Sequence, residues 1–128
     1  MYYKLRTNFL YEPSNTQPMK KYTLTAFFQL EQRLTDSFVN WAEGEYLKKV
    51  IATGYFKPLV RKILSNRTNG DVWITYRLEF RSGRCCEEYS NVHHLLRQEI
   101  DTRWLIEKNN GGPITKISFD AEEVLRMS

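Results

Sequence analysis

Cysteine is nearly absent from this 128-residue chain, and the two that occur, Cys85 and Cys86, are neighbours. An adjacent pair cannot tie distant segments together, so a scaffold held by disulfides is excluded. Four prolines and six glycines are too few for a low-complexity or linker-like chain. No stretch approaches the run of about 18 uninterrupted apolar residues that a membrane-spanning helix needs. The opening "MYYKLRTNFLYEP" also lacks the apolar stretch and small-residue cleavage site of a signal peptide. Charge of one sign is not in large excess: 19 Lys and Arg stand against 15 Asp and Glu, for a net +4. The basic residues form no cluster, and "LVRKILSNR" is the nearest approach to one, which argues against a nucleic-acid-binding tract. There is no GxGxxG, no Walker loop and no GxSxG, so dinucleotide, nucleotide and serine-hydrolase motifs are all missing.

What is present is apolar and aromatic residue in quantity. At 41% hydrophobic and 14% aromatic, the chain can build one core without metal or disulfide support. "YKLRTNFLY" alternates as a half-buried strand does, and Pro13, Ser14, Asn15 and Pro18 end it. From about Thr25 the apolar spacing lengthens through Phe27, Leu30, Leu34, Phe38 and Trp41, which predicts an amphipathic helix ending near Gly44. "EYLKKVIATGYF" predicts a second short helical piece closed by Gly54. "LVRKIL" then reads as a strand turned by Asn69-Gly70. The next strand has the clearest pattern in the chain: Val72, Ile74, Tyr76, Leu78 and Phe80 point one way, and Trp73, Thr75, Arg77 and Glu79 the other. After "RSG" a helix is predicted with Tyr89, Val92, Leu96, Ile100 and Arg103 or Trp104 on one side. "EKNNGGP" is a loop, and "ITKISFD" the last strand. The order β-α-β-β-α-β gives an α+β fold of ferredoxin-like type, a sandwich with an antiparallel sheet and two main helices on one face.

That order and the turn at its middle resemble the SEA domain, an extracellular module of membrane mucins, agrin-like proteins and type II transmembrane serine proteases. The residues that carry the resemblance are "GYFKPLVRKILSNRTNGDVWITYRLEF", with "FFQLEQRLTDSF" and "ITKISFDAEEV" at the positions of that family's first helix and last strand. The resemblance implies one domain over residues 1–128, cut from a longer membrane-anchored chain. It further implies a cell-surface location, a stalk, spacer or adhesion role without catalysis, and protein or glycan partners, with no cofactor and no nucleic acid. Many mucin-type members cleave themselves between a Gly and a Ser at this turn, by attack of the hydroxyl on the preceding carbonyl. Gly70 and Asp71 occupy that place here. A carboxylate is a poor nucleophile toward an amide, so the domain is expected not to cleave. The alternative is an intracellular ferredoxin-like module that binds nucleic acid or protein through its sheet.

Other candidate residues were weighed on their chemistry. Asn66-Arg67-Thr68 is a sequon, so Asn66 is a glycosylation candidate if the chain is secreted. Cys85 and Cys86 are thiols, a strained vicinal disulfide, or partners of a cysteine elsewhere. His93 and His94 diverge by about 100° on a helix and cannot chelate one ion as a pair, so no metal site is expected. Trp73, on the polar side of its strand, is the residue singled out for binding.

Overall fold

A computed structural model describes the backbone of residues 17–126 and the side chains of residues 20–121. The strand read at "YKLRTNFLY" lies outside the described residues. The helix expected from Thr25 does not start there: Gln17–Glu31 is a strand, β1, and helix begins only at Gln32. The reason is visible in the burial. Leu24, Ala26, Phe28 and Leu30 are buried, whereas Thr23, Thr25, Phe27 and Gln29 between them are only half-buried. That is a period of two, supported by the β-branched Thr23 and Thr25. Adjacent Phe27 and Phe28 hid it by matching a helical spacing with Leu30 and Leu34.

A helical segment follows as α1 (Thr35–Trp41), a π-turn at Ala42–Tyr46 and α2 (Leu47–Ala52). Leu34, Phe38, Trp41, Ala42, Tyr46, Leu47 and Val50 form its buried stripe. Strand β2 (Phe56–Asn66) and strand β3 (Asp71–Phe80) make a hairpin. The single helix expected next is two, α3 (Gly83–Tyr89) and α4 (His93–Arg103). Between them Ser90 Oγ donates to the Glu87 carbonyl at 2.6 Å, and the amides of Asn91 and Val92 bond three residues back to Glu88 and Tyr89. Serine and asparagine compete in this way for backbone groups, and the helix breaks. Strand β4 is Ile114–Arg126.

The sheet order is β2-β3-β1-β4, with β3 and β4 antiparallel to β1 and β2 antiparallel to β3. With both helical segments on one side, this is the ferredoxin-like α+β fold. Alternate residues of β1 and β3 meet the helical stripe in one core, where Phe28 lies 4.6 Å from Phe38 and Trp41 stacks on Tyr46 at 5.7 Å. Each fully buried aromatic of this kind contributes about 1.5–3 kcal/mol by leaving water.

The loop before β4 packs tightly on the end of β1. Glu31 donates its amide to the Gly111 carbonyl at 2.7 Å. Gly112 has φ +102°, and a Cβ there would stand 2.6 Å from the Gln29 carbonyl oxygen, so only glycine fits.

Candidate functional site

The helices cover one side of the sheet, no described element covers the other, and the strand registers fix what this open side shows. Three rows cross it from β2 to β4: Ser65, Trp73, Gln29, Ile114; then Ile63, Thr75, Phe27, Lys116; then Arg61, Arg77, Thr25, Ser118. A fourth row holds Glu79, Thr23 and Asp120. This face mixes aromatic, aliphatic and cationic groups. Leu59 is 67% exposed, Ile63 49% and Ile114 58%.

Trp73 and Phe27 stand edge to face on the two central strands, with ring centres 5.4 Å apart. The Arg67 guanidinium, from the β2–β3 turn, lies 3.9 Å over the indole of Trp73. Such a cation over a ring near the surface is worth about 0.5–1 kcal/mol. Trp73 is therefore half-buried by its neighbours' side chains, with no helix above it.

A groove of about 450 Å³ lies over the third and fourth rows, where Leu59, Arg61, Arg77, Thr25, Glu79 and Asp120 line it. A register shift between Phe56 and Val60 opens it, at a point where Pro58 has no amide to give the ladder. Its carboxylates are already engaged. Glu79 pairs with Lys57 at 2.6 Å and Lys21 at 4.0 Å, and Asp120 accepts from the Thr25 hydroxyl at 3.3 Å.

The turn that drew attention in the sequence borders this face. Gly70 takes φ +92°, Arg67 donates its amide to the Asp71 carbonyl at 2.7 Å, and Asn69 Oδ1 accepts from the Asp71 amide at 3.0 Å. The Asp71 carboxylate accepts from Gln29 Nε2 at 2.9 Å and from Asn69 Nδ2 at 3.3 Å. It is thus held toward β1 as an acceptor. Asn66 is exposed at the last position of β2, one residue before Arg67.

The remaining candidates lie elsewhere. Cys85 and Cys86 stand as half-buried thiols in the first turn of α3, where Ser82 Oγ caps the helix by accepting from the Cys85 amide at 3.2 Å. Burial, and then the Glu87 charge, push the Cys86 thiol up, opposite to what a reactive thiolate needs. His93 is half-buried against Phe119, ring centres 5.1 Å apart, and His94 is exposed. On the helix side, a smaller hollow of about 270 Å³ between α2 and β2 contains Glu43, which pairs with Lys62 at 2.7 Å and accepts from the Tyr76 hydroxyl at 3.0 Å. The Lys62 hydrogen bond holds the Glu43 carboxyl below its usual range. Among the described residues, no three His, Cys, Asp or Glu converge on a metal position, and no helix is long and apolar enough to cross a membrane.

Sequence reasoning found Trp73 and missed its surroundings. Phe27 was assigned to a helix, and Arg61 could not be matched to Arg77 without the register. The signal for Phe27 was the Thr23, Thr25 alternation around it.

No protein-family model matches the chain, and no curated protein does. Among solved structures it is similar to a de novo designed protein, Foldit4, at 12% identity and TM-score 0.49, covering 80% of this chain and 96% of that one. It is also similar to a dimeric ferredoxin-like protein from an uncultured marine organism, at 13% identity and TM-score 0.36, covering 80% and 94%. At such identities neither likeness bears on a ligand.

Proposed function

We propose that this domain is a non-catalytic recognition module that docks a protein partner with an acidic surface across the open face of its sheet. The observation that carries the reading is the composition of that face: a Trp-Phe pair on the central strands, exposed Leu59 and Ile63 at the edge, and arginines between them. Trp, Phe and Arg are the residues enriched where proteins bind one another, and here they stand together among the Ser, Thr, Lys and Glu of a solvated face. Charge selects the partner. Arg61, Arg77 and Lys116 have no carboxylate partner among the described residues, so the middle of the face carries positive charge. A second copy laid face to face would set this cationic row near itself, which disfavours self-association.

Base stacking is the less suited alternative, because one side of the Trp73 ring is already covered by Arg67. The SEA resemblance would put the partner at the cell surface, a setting that rests on the sequence pattern alone.

The test is site-specific photo-cross-linking in the native host from Leu59 and Ile63 on the open face, with Leu95 on α4 as a control of similar exposure. The expected result is one acidic protein captured from the first two positions, not from Leu95, and lost in Trp73→Ala. Equal capture from all three positions contradicts the reading.

A further inference from the structure

Arg61 and Arg77 are direct register partners on β2 and β3, and both are exposed on the open face. Like charges placed directly opposite one another across two strands destabilise a sheet. A salt-bridge partner would remove the penalty. Yet Glu79 is shared by Lys57 and Lys21, Asp120 accepts from the Thr25 hydroxyl, and among the described residues no carboxylate pairs with either arginine. The pair also sits at the wall of the 450 Å³ groove, not on a convex surface where water alone would screen it. The row it occupies continues into Thr25, which lines the same groove.

We propose that the Arg61–Arg77 pair is a binding site for a tetrahedral oxyanion, a phosphate or sulfate group borne by the partner. Each guanidinium presents a planar fork of N–H donors. A carboxylate carries one charge on two coplanar oxygens, so two forks must share those oxygens and one positive charge stays unbalanced. A phosphate or sulfate group has oxygens enough to take both forks at once, and its charge offsets the repulsion between them. The site deepens the docking reading and rests on it for its biological source, but its chemistry can be tested with small ions alone.

The experiment follows the thermal midpoint of the purified domain as sodium sulfate, sodium phosphate, sodium acetate or sodium chloride is added at matched ionic strength. Sulfate and phosphate at tens of millimolar are expected to raise the midpoint by about 2–6 °C more than chloride does, with acetate close to chloride. A larger rise with sulfate than with phosphate assigns the source to a sulfo group, and the reverse to a phosphoryl group. Arg77→Ala and Arg61→Ala are each expected to remove the excess over chloride and, in low salt, to melt no lower than the parent because repulsion is relieved. The double variant Arg61→Lys with Arg77→Lys keeps the charge, loses the forks, and is expected to lose the excess as well. Equal effects of all four salts, or an excess that survives Arg77→Ala, overturns the site. Such a failure leaves the cross-linking pattern from Leu59 and Ile63 unaffected, so the two claims fail separately.

Discussion

The two sides of β3 are built from alternate residues of one ten-residue strand, yet they obey different rules. Toward the helices, Val72, Ile74, Tyr76, Leu78 and Phe80 are all buried. Toward the open side, Asp71, Trp73, Thr75, Arg77 and Glu79 are half-buried or exposed: Asp71 accepts from Gln29, Trp73 meets Phe27, Glu79 pairs with Lys57, and Arg77 stands as a charge. The first set is chosen by packing density, where any lost volume is felt. The second faces outward, where a substitution changes stability far less. A strand read only for its apolar alternation shows the first set; the second is visible only once neighbouring strands are in register.

The comparison can be sharpened by substitutions on either side. Phe38→Ala, which empties the helix-side contact with Phe28, is expected to cost about 3–5 kcal/mol in urea unfolding. A loss below 1 kcal/mol would mean that the helical segment does not pack as described. Gly112→Ala, in the loop that seals the end of β1, should cost about 1–3 kcal/mol, since its Cβ has no room beside Gln29 and its φ is positive.

His93 gives a pH lever at the border of the core. Burial, then the Arg97 and His94 charges, hold it below its ordinary 6.5. A histidine depressed in the folded state contributes stability that is complete above pH 6.5 and is lost as pH falls through the lower folded value. The thermal midpoint should therefore drop on going from about pH 7.5 to pH 5.5, and drop less in His93→Gln. A midpoint equally pH-sensitive in both proteins would remove His93 as the cause. Smallest of all should be Lys62→Met. It breaks a partly exposed pair with Glu43 and is expected to change stability by at most about 1 kcal/mol, with circular dichroism melts showing no larger shift.

Much of the fold was legible. β3 could be read from its strict alternation, the Asn69-Gly70 turn from its residue types, and the piece closed by Gly54 from its apolar spacing. β1 was not, because "TLTAFFQL" satisfies two periods at once, and only pairing with β3 and β4 on both sides decides between them. The break at Ser90 was hidden for a related reason: the apolar residues of α3 and α4 keep one helical phase across it. The open face was the least legible part. Trp73 could be placed on it from β3 alone, but the opposition of Arg61 to Arg77 depends on the hairpin register that the turn between Asn66 and Asp71 sets.

Phe27 and Phe28 are neighbours in sequence on opposite sides of the same strand, so they test the division between the faces most directly. Urea unfolding of Phe27→Ala beside Phe28→Ala is the measurement. If the faces differ as described, Phe28→Ala loses about 3–5 kcal/mol while Phe27→Ala loses less than about 1.5 kcal/mol, its T-shaped contact with Trp73 being most of that. Equal losses would contradict the account, because Phe27 would then be a core residue and the side of the sheet it occupies would not be open.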